Sequence, residues 1–110
     1  MYWLDWSPGR GSEQTGIRPG LIVQRDTANR NTGYPNVIAV AVSRSGRNVP
    51  FHVEIQPTSD NGLSSVSYIK CEQLQTVSKD RLSQFIGRLS SEDMEAVNQA
   101  LKITLQLDTA

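Results

Sequence analysis

The chain has 110 residues, 37% of them hydrophobic, and its eleven basic side chains balance eleven acidic ones. That length predicts a single domain over 1–110 with one modest core, lean enough to gain stability by pairing with a second copy. No apolar run reaches the length of a membrane helix, the opening residues do not read as a signal peptide, and the lone Cys71 rules out an internal disulfide. A cytoplasmic protein with no membrane contact is expected.

The charge is distributed unevenly. Residues 1–50 carry six arginines (10, 18, 25, 30, 44 and 47) against Asp5, Glu13 and Asp26, giving +3, and residues 51–110 carry −3. Every base in the first half is an arginine, the side chain suited to bidentate contact with phosphate. A local arginine-rich face is compatible with nucleic acid even in a neutral chain.

In chain order, Tyr2–Trp6 reads as a first strand. Residues 8–23, PGRGSEQTGIRPGLIV, follow with four glycines and two prolines, predicting a mobile loop that runs into an apolar strand over Gly20–Gln24. Asp26–Pro35 reads as a polar loop with a turn at Asn31, Thr32 and Gly33. Further strands are expected over Val37–Ser43, Phe51–Ile55, Ser67–Cys71 and Glu72–Thr76. Alternation at Phe51, Val53 and Ile55 puts His52 and Glu54 on the opposite face. The pattern then changes period. Ser78 caps a short helix with Leu82, Phe85 and Ile86 on one face, and Ser90 caps a terminal helix with an apolar stripe of Met94, Val97, Leu101 and Leu105. Strands first and a helix last predict a mainly β (α+β) domain, a small antiparallel barrel with a C-terminal helix packed on it.

The chemistry points to Arg18. Pro19 fixes its own φ and biases Arg18 towards an extended backbone, so the guanidinium stands where the loop enters a rigid strand. With Ser12, Glu13 and Gln14 nearby, such a place suits a phosphate. A salt bridge from Arg18 to Glu13 is the plain structural alternative. One histidine and one cysteine make poor metal ligands, so no metal and no cofactor are expected. The single His52 also rules out a two-histidine acid–base pair, and as a strand residue it reads as structural. Cys71 reads as a small core residue. Trp3 and Trp6 read as cover for the core or for a dimer seam, with base stacking the alternative. Arg44, Ser45, Gly46 and Arg47 form a basic turn, either an RNA guide or a solvated hairpin.

The segment GSEQTGIRP (11–19) closely resembles the MazF/PemK family of toxin ribonucleases, whose members carry GSEQxGxRP before an apolar strand. The resemblance continues through NVIAVAVS (36–43), HVEI (52–55), CEQLQT (71–76) and IGRLS (86–90). It implies an SH3-like barrel, a homodimer, a single-stranded RNA substrate and inhibition by a cognate antitoxin. It further implies a sequence-specific, metal-independent endoribonuclease that leaves 2′,3′-cyclic phosphate and 5′-hydroxyl ends. By the same resemblance Arg18 and Ser43 are catalytic residues; Glu13, read from its place in the loop, joins them by orienting Arg18 or accepting the 2′-proton, with a solvated loop the plain alternative. Glu72 and Gln73 match the EQ of a family strand whose glutamine helps to read a base, and Ser12, Gln14 and Arg44 are expected, from their own positions, to contact RNA as well.

Three departures from the family pattern stand out. Ser43 occupies a position where a threonine is usual, keeping the hydroxyl but not the methyl that restrains its rotamer. Gln75 stands where an arginine is common. The first methionine falls inside the opening strand, so that strand is trimmed or the natural start lies upstream. Two other readings remain open: a non-enzymatic toxin of the same fold acting on DNA gyrase, and a catalytically weak RNA-binding homologue. Gyrase poisoning would leave the arginine of GSEQTGIRP without a purpose.

Overall fold

In the computed structural model, which describes residues 1–7, 11, 15–24 and 26–107, β3 (Asn36–Ser43) is the spine of the molecule. Its sequence NVIAVAVS is apolar on both faces, and both faces are covered. Val40 and Val42 join one core cluster with Leu21, Ile55, Ile69, Cys71 and Val97, while Val37, Ala39 and Ala41 join a second with Leu4, Trp6 and Val77. A strand buried on both sides reads as a continuous hydrophobic run instead of a strict alternation.

Around it lie β1 (Tyr2–Asp5), β2 (Ile17–Ile22), β4 (His52–Ile55), β5 (Ser67–Ser78) and β6 (Leu82–Phe85), in one antiparallel sheet of order β4-β5-β3-β2-β1-β6. Helix α1 (Asp26–Arg30) follows β2, and α2 (Ser91–Thr104) packs Val97 and Ala100 into the first cluster. Ser90 caps α2 by accepting the Asp93 N–H at 3.1 Å, with Glu92 and Asp93 in the first turn, where the helix dipole favours negative charge.

The expected mainly β domain with a C-terminal helix is the one observed, although the sheet stays open at β4 and β6. Loops, not a ladder, bring these edges together. Arg88 N–H donates to Asp60 O at 2.9 Å, and Gly62 lies so close to Ile86 O that a Cβ would come within 2.1 Å of it. Gly62 also has φ of +69°, so both space and backbone demand glycine here. The buried Asn61 organises this loop, accepting from Thr58 N–H and Leu63 N–H at 3.0 Å each and donating to Gln56 O at 2.9 Å.

Several boundaries differ from the sequence reading. The helix expected after Ser78 is a single 3-10 turn, Lys79–Arg81, capped by Ser78 as foreseen, and 82–85 is then strand β6. Leu82 and Phe85 mimic a helical face, but they pair with Leu4 and Tyr2 and close the exposed edge of β1. Tyr2 and Phe85 meet edge-on at 5.3 Å, Ser83 Oγ donates to Trp3 O, and Ile86 N–H donates to Met1 O. Tertiary pairing overrides the local period. The polar loop expected over Asp26–Pro35 begins with the five-residue α1. The two strands expected over Ser67–Cys71 and Glu72–Thr76 are one, twelve residues long, with a register break. Of the α2 stripe, Leu105 lies beyond the helix and is exposed. No helix among the described residues is long and apolar enough to cross a membrane.

Candidate functional site

Gly20 pairs with Ala41 across β2 and β3, and the ladder stops there. The next residue towards the rim on β2 is Pro19, which has no N–H to continue it. Beyond this point the strands border an open cleft of about 580 Å³, lined by Trp3, Arg18, Pro19, Val42, Ser43 and Arg44 among others. Extended by two residues, the Gly20–Ala41 register sets Arg18 opposite Ser43. Both continue the row of Leu4, Ala39 and Ala41, while the apolar floor of the cleft, Val42, Leu63 and Ile86, belongs to or packs on the first core cluster.

Arg18 is exposed, but its backbone is not free to wander. It pairs with Leu4 of β1, and its carbonyl accepts from the indole Nε1 of Trp6 at 3.3 Å. Trp6 is itself 1% exposed, and Gly20 makes room for it, since a Cβ there would sit 3.1 Å from the Trp6 ring. A buried aromatic thus fixes the base of the arginine while its head stays in water. Trp6 fulfils the core role expected for it, and Trp3, 39% exposed, lines the cleft.

Ser43 is half-buried. Its Oγ accepts from Ser45 N–H at 3.2 Å and lies 3.2 Å from Ser45 Oγ. This local turn restrains the serine rotamer as the missing methyl otherwise would. Arg44 follows at the lip. The lining also includes the hydroxyl residues Ser64, Ser65, Ser67 and Thr15. The sequence reading passed over these serines; their only signal is a hydroxyl cluster, SSVS (64–67), after the Asn61–Gly62 turn.

Glu72 and Gln73 do not line the cleft. They lie where β5 breaks register: Val40 pairs with Leu74 but Ala41 pairs with Lys70, so residues 71–73 bulge out of the β3 ladder. Bulges re-aim side chains. Glu72 Oε2 is 2.6 Å from His52 Nε2, and His52 Nδ1 accepts from Arg47 N–H at 3.0 Å. The His52 side chain is only 6% exposed, in keeping with a structural histidine. Cys71, on the same bulge, is fully buried, and burial, with a smaller effect of the Glu72 charge, pushes its thiol up to about 11. Such a thiol is no nucleophile. Ser12, Glu13 and Gln14 lie outside the described residues. Among the described residues, no three His, Cys, Asp or Glu side chains gather as a metal site.

Chemically, the cleft offers a guanidinium on a held backbone, one restrained hydroxyl, a second arginine at the lip and further hydroxyl groups. Guanidinium and hydroxyl groups in one cleft are the chemistry that suits a phosphate group. The profile of the family described as PemK-like, MazF-like toxin of type II toxin-antitoxin system matches residues 1–105. The endoribonuclease MazF of Staphylococcus saprophyticus is 42% identical, across 99% of this chain and 90% of its own length. Endoribonuclease EndoA of Bacillus subtilis is 39% identical, across 97% and 91%. Among solved structures, a mycobacterial endoribonuclease in complex with its cognate antitoxin superimposes with a TM-score of 0.79 at 29% identity, covering 99% of this chain and 93% of that one. The Mycobacterium tuberculosis toxin MazF-mt6 shares the fold with a TM-score of 0.81 at 22% identity, covering 98% and 97%. The chain belongs to the PemK-like, MazF-like family of toxins of type II toxin–antitoxin systems.

Proposed function

We propose that the chain is a sequence-specific endoribonuclease toxin that cuts single-stranded RNA in the Arg18–Ser43 cleft and is neutralised by a cognate antitoxin. The observation carrying this reading is the convergence of Arg18 and Ser43 from two strands onto one open cleft. The two relatives named as endoribonucleases and the neighbour solved with an antitoxin support it. An open rim suits an unpaired strand, whose base edges are free to be read.

The reaction needs no metal, because the RNA supplies its own nucleophile. The 2′-hydroxyl attacks the adjacent phosphorus, its proton goes to a base, the P–O5′ bond breaks, and the leaving 5′-oxygen takes a proton delivered by Arg18, as its second role, and resupplied by water. The products are a 2′,3′-cyclic phosphate and a 5′-hydroxyl. Arg18 holds the non-bridging oxygens as negative charge grows in the transition state, where a preorganised donor is worth most. Guanidinium groups are poor bases, so a carboxylate, Glu13, is assigned to accept the 2′-proton. Ser43, its Oγ already accepting from Ser45 N–H, turns its hydroxyl hydrogen to a phosphate oxygen.

In this reading Arg44 guides the chain at the lip, and Ser12, Gln14, Glu72 and Gln73 contribute to RNA recognition. The unit is one domain over 1–110, acting as a cytoplasmic homodimer. The test is a cleavage assay on a long defined RNA in the presence of chelator, with the cut ends mapped. Discrete cuts bearing 5′-hydroxyl ends support the assignment. Loss of cleavage on chelation and its return with added metal would overturn the metal-free route.

A further inference from the structure

The loop 44–50, between β3 and β4, is tied down at four points. Ser45 N–H donates to Ser43 Oγ at 3.2 Å, and Arg47 N–H donates to His52 Nδ1 at 3.0 Å. His52 N–H donates to Val49 O at 3.1 Å. Gly46 packs closely against Tyr68, where a Cβ would fall 2.2 Å from the ring. The loop carries Arg44, which lines the cleft, and Arg47. Among the described residues neither guanidinium makes an ion pair.

The anchors are themselves held. An imidazole that accepts at Nδ1 carries its hydrogen on Nε2. That hydrogen is donated to Glu72 Oε2 at 2.6 Å, and the Phe51 ring meets the imidazole edge-on at 5.2 Å. Tyr68 Oη donates to Glu54 Oε1 at 3.2 Å, while Gln56 Nε2 donates to Glu54 Oε2 at 3.0 Å. A relay thus runs from the β5 bulge through His52 into the backbone of the arginine loop.

Resting on the ribonuclease reading above, we propose that His52 and Tyr68 are positioning residues for RNA: they pre-order the arm 44–50 so that Arg44 and Arg47 meet the phosphates flanking the scissile one. Ordering an arginine arm before binding removes that entropic cost from association. The phosphates concerned are not the one being cleaved, so the arm acts on binding and leaves the chemical step alone. Glu72 then serves RNA binding indirectly, by orienting His52.

Two near-isosteric substitutions separate the bonds of His52. In His52→Asn, the amide oxygen replaces Nδ1 and still accepts from Arg47 N–H. In His52→Gln, the amide nitrogen replaces Nε2 and still meets Glu72, but the loop loses its acceptor. A third variant, Gly46→Ala, lifts the arm off Tyr68 without touching His52, and it carries the test if His52→Gln does not fold. For each we would measure kcat and KM for RNA cleavage at several salt concentrations, together with hydrogen exchange at the Arg47 amide.

His52→Gln and Gly46→Ala are expected to raise KM about tenfold with kcat near the parent value. Their slope of log affinity against log salt should shrink by about 0.7 for each phosphate that the arm no longer neutralises. Exchange at Arg47 should accelerate in His52→Gln, while His52→Asn, which keeps the acceptor but loses the orienting bond to Glu72, should fall between the parent and His52→Gln in every readout. Faster exchange with unchanged KM and salt slope would overturn the proposal while leaving the ribonuclease reading intact. Equal impairment of His52→Asn and His52→Gln would overturn it too, because the acceptor would then not matter. A parent protein that cuts no RNA would overturn both.

Discussion

The indole of Trp6 donates to the carbonyl of Arg18 at 3.3 Å, so the most buried aromatic of the core holds the backbone of the residue assigned to the phosphate. Core and site share one bond. Trp6→Phe keeps most of the packing but removes that donor. It should lower stability by about 1–3 kcal/mol and reduce cleavage, with kcat affected more than KM. Urea unfolding beside single-turnover cleavage checks both; a destabilised variant with full kcat would separate the bond from the chemistry.

At Ser43, threonine and alanine should part company. Ser43→Ala leaves Ser45 N–H without its acceptor and removes the hydroxyl assigned to the phosphate in the proposed reaction, so cleavage should fall by about ten- to a hundredfold. Ser43→Thr keeps the oxygen and adds a methyl restraint, and should match or exceed the parent rate. Equal rates for all three would remove this hydroxyl from the mechanism.

Position 43 was legible in the sequence because a strand-ending hydroxyl after NVIAVAV has one place to go, the rim. Arg18 was legible for a related reason: Pro19 both extends the backbone and ends the ladder, and a single residue type encodes both effects. The bulge at 71–73 was not legible. It depends on how β3 and β4 share one long strand, and nothing local in KCEQL marks a register break. The short helix expected after Ser78 failed where Leu82, Phe85 and Ile86 offered a helical period that the open edge of β1 outweighed. Helix α1 escaped notice because five residues, DTANR, are too few for any periodicity. The relay from Glu72 through His52 to Arg47 joins residues that are distant in sequence, and only the fold brings them together.

Cys71 gives a pH test of the fold. Burial raises its thiol to about 11 from an ordinary 9.0. The unfolded chain therefore loses this proton first. Stability is unaffected below pH 9 and falls as pH rises towards 11, by up to about 1.4 kcal/mol per pH unit. Cys71→Ala should flatten that alkaline slope relative to the parent. Thiol reagents at neutral pH should label Cys71 only after denaturation; rapid labelling of the native protein would contradict its place in the core.

The cap on α2 is a local test. Ser90→Ala removes the acceptor for Asp93 N–H and should cost about 1 kcal/mol without altering cleavage at saturating RNA. Thermal unfolding with kcat measured on the folded fraction resolves the two effects.

The measurement that bears most directly on the central claim is cleavage of a long defined RNA, with chelator present, by the parent and by Arg18→Ala at matched fold stability. We expect discrete parent cuts with 5′-hydroxyl ends and a loss of about a hundred- to a thousandfold in the variant, as for removal of a preorganised donor. Arg18→Ala cutting at the parent rate would contradict the assignment of this cleft as the catalytic site.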